Sequence, residues 1–153
     1  MKATARVGII LGSASDQELL EPCVATLQSL GIESEQLVAS AHRNPEQVAR
    51  WAQEARGRGL KVLIAIAGLS AALPGAVAAH TTLPVIGVPV AAGPLAGVDA
   101  LLSMVQMPRG VPVATVAIGK SGAVNAALLA AAILGIEDAG IAAKLSSYRE
   151  EWS

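Results

Sequence analysis

At 153 residues the chain has the length of one compact domain. It is 53% hydrophobic but only 2% aromatic, so its core has to be aliphatic. A charged fraction of 15% and a formal net charge of -1 exclude both a basic nucleic-acid binder and a disordered acidic chain, and the one cysteine, Cys23, excludes a disulfide framework. In chain order, residues 7–11 form a continuous apolar run that predicts a strand covered on both faces. A small-residue turn follows at 12–16. Residues 17–30 then place Leu19, Leu20, Cys23, Val24, Leu27 and Leu30 at helical spacing, closed by Gly31. A second strand is predicted at 36–39, a loop at 40–45, and a helix from Pro45 to about Arg58. Residues 61–67 predict a third strand, 68–75 a glycine-rich loop, and the Ala-rich segment after it a short helix toward His80. A fourth strand is predicted at 84–90 and a helix at 97–106, with Asp99 as its expected cap. A fifth strand at 113–118 leads to an Ala and Leu helix at 122–134 and a polar helix at 137–152. Strand alternating with helix calls for an α/β domain, a parallel sheet between helix layers.

A mean hydropathy of +0.54 raises the question of a membrane span. Residues 62–79 are uncharged and about long enough to cross a bilayer, but Gly68, Ser70, Pro74 and Gly75 interrupt them. Residues 113–134 carry Lys120 and Asn125 in their middle. The opening M-K-A-T-A-R runs straight into V-G-I-I-L-G, with no cleavable signal pattern. The expectation is a soluble, cytoplasmic protein with no membrane or nucleic-acid partner, its excess apolar surface buried between subunits. The helix at 122–134, apolar nearly all round, is expected to need burial on more than one side.

Ligands of parallel sheets bind beyond the carboxyl ends of the strands. The polar and glycine-rich residues gather in strand-to-helix loops at 12–16, 40–45, 68–75 and 119–122. The first offers Gly12, the hydroxyls of Ser13 and Ser15, the carboxylate of Asp16 and the N–H groups of a helix start. It reads either as a phosphate cradle with Asp16 facing ribose, or as a plain helix cap. It lacks the glycines and the lysine of the dinucleotide and Walker motifs. In the second loop, Arg43 can bind phosphate or carboxylate bidentately, and an imidazole such as that of His42 can move a proton. A His beside an Arg also occurs as a solvated loop pair. No Ser-His-Asp or Cys-His set is legible, and His42 and His80 have no metal-ligand spacing, so neither acyl-enzyme chemistry nor a metal is expected. Cys23, Trp51 and Trp152 read as packing or interface residues, and His80 as a helix-end residue.

Taken together the loops resemble one family. G-S-A-S-D at 12–16, S-A-H-R-N-P at 40–45, L-P-G at 73–75, L-P-V-I-G-V-P-V at 83–90, Q-M-P-R-G-V-P-V-A-T-V-A-I-G-K at 106–120 and N-A-A-L-L-A-A at 125–131 are similar to those of the 5-(carboxyamino)imidazole ribonucleotide mutases of purine biosynthesis. The likeness covers nearly the whole chain, in order. The ending I-G-K-S-G looks more like the bacterial mutase branch than the branch that carboxylates aminoimidazole ribonucleotide directly. The resemblance implies a three-layer flavodoxin-like domain over 1–153, assembled as an octamer with sites at subunit contacts and a C-terminal helix (about 137–152) packed on a neighbouring subunit. It implies transfer of a carboxylate from the exocyclic nitrogen of a ribonucleotide to the adjacent ring carbon, on the way to IMP, with no metal or organic cofactor. Carried over by motif, Gly12, Ser13, Ser15 and Asp16 hold phosphate and ribose, Arg43 binds the phosphate, Ser40 and Ala41 lie beside them, and His42 is the acid and base. Gly68, Leu69, Ser70, Ala72 and Leu73 form a lid near the migrating carboxylate.

That lid departs from the family. The usual G-A-G-G-A-A-H-L-P-G is here I-A-G-L-S-A-A-L-P-G at 66–75, with Ile66 and Leu69 at glycine positions, Ser70 for an alanine and Ala72 for the loop histidine. His80 cannot stand in, because eight helical residues put it about 12 Å away. The expectation is an active mutase with a rebuilt lid, because the nucleotide-binding loops are intact. The rivals are a mutase slowed by drift, a carboxylase or decarboxylase of aminoimidazole ribonucleotide or of a related ribonucleotide, and a non-catalytic nucleotide-binding paralogue. A pure binding module has no need of an imidazole between Ser40 and Arg43.

Overall fold

Five short runs pair in parallel, with helices over both faces of the sheet, in the computed structural model, which describes residues 4–151. Strands β1 (Val7–Leu11), β2 (Ser34–Val38), β3 (Val62–Ala67), β4 (Val85–Pro89) and β5 (Ala114–Thr115) lie in the order β2-β1-β3-β4-β5. This is the expected doubly wound, flavodoxin-like order, with its reversal between β1 and β3. Every residue of β1, β3 and β4 is buried, because both faces of the pleat meet a helix layer. Leu11 stands opposite both Val38 and Ile66, and Ala67 opposite Pro89, so four strands finish level at their carboxyl ends.

Helices α1 (Gln17–Ser29), α5 (Lys120–Leu134) and α6 (Ala139–Glu150) cover one face; α2 (Pro45–Glu54), α3 (Leu73–Ala78) and α4 (Val98–Val105) cover the other. Val7, Ile9 and Leu11 pack with Leu27 of α1 and with Ala126 and Ala130 of α5. Ile10, Leu63 and Ala65 pack with Val48, Ala52, Val77 and Met104. Each fully buried Leu or Ile contributes about 1.5–3 kcal/mol. Cys23 is wholly buried and burial pushes its thiol up to about 12, so it packs rather than reacts. Trp51 also packs: its indole N–H donates to Glu35 Oε1 at 3.0 Å, and the Arg58 guanidinium lies 5.7 Å from the ring centre. Trp152 lies outside the described residues. His80 sits in the turn just beyond α3, as expected of a helix-end residue.

Several boundaries differ from expectation for physical reasons. β2 starts at Ser34 because pairing with Val7 draws it into register, although an edge strand needs no apolar run. α2 stops at Glu54, and residues 55–59 turn so that Leu60 is buried and Arg58 reaches Glu35 at 2.8 Å. β5 has only two residues, and α5 begins earlier than expected, at Lys120. Asp99 is not the cap of α4. Gly97 holds that position, Asp99 lies two residues further in, and its Oδ1 is buried without a hydrogen-bond partner. α5 does need burial on more than one side, but the sheet, α1 and α6 supply it within the chain. On α5 Leu129 stays exposed, and the largest group of exposed apolar side chains is Leu95, Val98, Leu102 and Val105, on and before α4; Val38, Leu69 and Ile136 are exposed singly. Among the described residues no helix is long and apolar enough to cross a membrane; the stretch 62–79 is strand, loop and short helix.

The start of α5 has no room for a side chain. A Cβ on Gly122 would land on the Ala117 carbonyl oxygen and 2.6 Å from its carbonyl carbon. Gly122→Ala is expected to destabilise the protein by about 1–3 kcal/mol, lowering the thermal unfolding midpoint by about 2–4 °C per kcal/mol, which calorimetry checks.

Candidate functional site

Because the strands end level, the loops that leave them start side by side. Gly12 N–H donates to Ile66 O at 3.0 Å, Ala39 N–H to Leu11 O at 2.9 Å and Val90 N–H to Ala67 O at 2.9 Å, extending the ladder past the strands. The loops enclose a cavity of about 460 Å³, within the usual size for a small-molecule site. Every residue singled out from the sequence lines it: Gly12, Ser13, Ser15 and Asp16 after β1; Ser40, Ala41, His42 and Arg43 after β2; Gly68, Leu69, Ser70, Ala72 and Leu73 after β3. The fourth expected loop, 119–122, contributes nothing to the lining, since β5 is the outermost strand, two places from the reversal. The loop after β4 contributes Ala92 in its place, and Ala67 and Ala71 complete the wall. Three alanines carry no polar signal in a sequence; only the adjacency of β3 and β4 could have revealed Ala92.

The first loop folds around its serines. Ser13 Oγ accepts from the Ser15 N–H at 3.3 Å and from the Ser15 hydroxyl at 2.9 Å, closing a 3-10 turn over Ala14–Asp16. Capping of that turn therefore falls to Ser13. Asp16 precedes α1 but makes no side-chain capping bond there. Its carboxylate accepts a long 3.4 Å contact from Ser15 Oγ while its residue is 7% exposed. Burial raises its pKa above that of a free aspartate, against hydrogen bonds from the Ser13 backbone and the Ser15 side chain, which lower it.

In the second loop the Asn44 N–H donates to Ser40 O at 2.7 Å, and the Arg43 N–H to Ser40 Oγ at 3.3 Å. Ser40 thus fixes a tight turn that carries His42 and Arg43, both exposed, over the cavity. Pro45 ends the turn by starting α2.

The third loop closes with the Ala71 N–H on Gly68 O at 3.1 Å, and Ala72, with no capping side chain, precedes α3. Leu73 is buried in the floor, whereas Leu69 is 53% exposed at the rim. Leu69 has φ 53°, the left-handed region, which costs about 1–2 kcal/mol for a residue with a Cβ. That conformation suits glycine, the residue of the resembled motif at this position.

The cavity therefore sets one buried carboxylate against a guanidinium and an imidazole, between walls of alanine and glycine. This arrangement can bind an anionic group at Arg43 and at the N–H groups before α1, meet hydroxyls with Asp16 and move a proton at His42. Among the described residues no cluster of three His, Cys, Asp or Glu side chains could hold a metal ion.

A family model described as AIR carboxylase matches residues 6–153. The N5-carboxyaminoimidazole ribonucleotide mutase of Pseudomonas aeruginosa is 60% identical over 86% of this chain and 81% of its own. The protein of the same description from Bacillus subtilis is 56% identical over 94% of this chain and 89% of its own. Among solved structures, PurE of Treponema denticola superposes with a TM-score of 0.85 at 35% identity, covering 95% of this chain and 89% of that one.

Asp16 makes the cavity's electrostatics measurable without a ligand. Its raised pKa means that the folded state favours the protonated carboxyl; that contribution is full below the unfolded-state pKa and lost as pH rises through the folded-state pKa. Asp16→Asn keeps the shape and removes the ionisation. Its thermal midpoint is expected to exceed that of the parent at pH 7, with the gap closing as pH falls through the carboxylate range.

Proposed function

The chain belongs to the AIR carboxylase family, and from that membership we propose how its cavity works as the site of the reaction for which its relatives are named. It is an isomerase of purine biosynthesis, catalysing the N5-carboxyaminoimidazole ribonucleotide mutase reaction on the route to IMP. The observation that carries this is identity of 60% and 56% with two proteins of that name over 86% and 94% of the chain. The reaction moves the carboxylate from the exocyclic nitrogen to the neighbouring ring carbon.

In this reading Arg43, with Ser13, Ser15 and the N–H groups before α1, holds the phosphate, and Asp16 meets the ribose hydroxyls. His42, as imidazolium, gives a proton to the exocyclic nitrogen as the carbon–nitrogen bond breaks and its electron pair stays on nitrogen. Carbon dioxide is left beside the ring. The ring carbon attacks it, a carbon–carbon bond forms, and the ring proton returns to His42, which ends as it began. One imidazole serves both halves, and holding carbon dioxide next to the ring replaces an encounter in bulk water with one in a cage. Gly68, Ala71 and Ala72 supply a wall without groups to react with it.

The same reading makes the protein a cytoplasmic homo-oligomer, an octamer by resemblance. The exposed apolar residues Leu95, Val98, Leu102 and Val105 support an interface on α4, since patches of this kind mark contact surfaces. The outer face of α6 would pack on a neighbouring copy.

Purified protein is expected to convert the N-carboxylated ribonucleotide to its ring-carboxylated isomer without ATP or added metal, at a rate indifferent to bicarbonate. A rate that instead follows bicarbonate would identify a direct carboxylase, and binding without turnover a paralogue that has lost catalysis. His42→Asn should lower kcat by about 10²–10⁴-fold with ligand binding retained. Arg43→Gln should raise KM by about 10–100-fold, the loss of a charged hydrogen bond. Light scattering should find an oligomer; a monomer would remove the assembly from this reading.

A further inference from the structure

Two non-glycine residues among those described have a left-handed backbone, Leu69 at φ 53° and Ala96 at φ 49°. Ala96 lies in the turn before α4, away from the cavity lining. Leu69 stands on the cavity rim, in a conformation that disfavours its Cβ, with 53% of its surface exposed. Little core burial offsets that strain, and strain kept without a packing reward points to function. What the side chain touches is the loop after β4. A Cβ built on Gly93 would fall 2.7 Å from Leu69 Cδ2, so the leucine sits directly on that glycine. Beneath it, a Cβ on Gly68 would come within 3.3 Å of the Ala92 Cβ, so the two loops are already in close contact. Past the last ladder bond, Val90 N–H to Ala67 O, Leu69 reaches across from one loop to the other.

We propose that Leu69 is a positioning residue for the carboxylate transfer: it clasps the loop after β3 to the loop after β4 and forms the apolar cover that keeps released carbon dioxide beside the ring. The inference rests on the mutase reading above. Carbon dioxide is neutral, so neither Arg43 nor Asp16 can retain it by charge; only walls can. The other apolar wall residues of these loops, Gly68, Ala71, Ala72 and Ala92, carry one side-chain carbon or none, and Leu73 is buried in the floor. Leu69 is the large apolar side chain left at the mouth. Its exposure in the free chain leaves it available to close over a bound nucleotide.

The test follows a carbon-13 label in the migrating carboxylate, with unlabelled bicarbonate in the buffer, by NMR. The parent protein is expected to keep the label in the ring-carboxylated product. Leu69→Gly removes the clasp and relieves the left-handed strain, so its thermal midpoint should match or exceed the parent's. It should lose on the order of tenfold more label per product formed, as aminoimidazole ribonucleotide and free carbon dioxide. Leu69→Met, which preserves length and apolarity, should retain most of the label, and Gly93→Ala, which displaces the leucine from its seat, should leak. Label retention in Leu69→Gly equal to that of the parent overturns the proposal, as does leakage from Leu69→Met equal to that from Leu69→Gly. A parent protein that forms no ring-carboxylated product overturns the mutase reading instead, so the two failures are told apart.

Discussion

The parallel pairing of β1 with β2 on one side and β3 on the other is the constraint on which the site depends. With Leu11 opposite both Val38 and Ile66, three strands end at one level, and the chain leaves them toward opposite helix layers. A crevice has to open at that reversal, because the helices on either side diverge from it. A slip of one residue would bring an aliphatic side chain to the place of Gly8, where even a Cβ would fall 2.8 Å from Leu60 and Trp51 and 2.9 Å from Leu63, in a layer that is fully buried. The same burial that stabilises the sheet therefore holds three loops in place around about 460 Å³ of space.

Within that frame the loops divide the work between backbone and side chain. The hydroxyl oxygens of Ser13 and Ser40 accept the bonds that shape their turns, and Asp16, His42 and Arg43 are the charged and titratable groups of the cavity. The walls are lined by small residues, which keeps space open between loops that start only a strand spacing apart. Leu69 is the exception in size and in backbone conformation, and it lies where the third loop meets the fourth strand's exit. The three loops that the motif resemblance singles out are the ones the strand order brings around the cavity.

Much of this was legible in the residues themselves. β1 and β3 are continuous aliphatic runs, and only a strand between two helix layers accommodates such a run in water. Hydroxyls, a carboxylate, an imidazole and a guanidinium clustered in loops after strands mark the cavity because buried backbone and packed cores have no use for them. Less legible were features without a local cause. β2 is set by its partner's register, β5 by a two-residue edge pairing, and the carboxylate of Asp99 by its depth in the helix rather than by a cap.

Composition and pattern alone determined the α/β class, the alternation of elements, the aliphatic core and the identity of the chemical groups, since each follows from local periodicity or side-chain type. Tertiary structure decided which loops meet. Residues 119–122, the start of α5, are as rich in glycine as the loops at the cavity, yet they lie outside because β5 pairs at the edge, while Ala92, chemically silent, lies inside because β4 pairs with β3. Strand order is a choice among long-range pairings, and the residues of a loop carry no record of which strand its own will join.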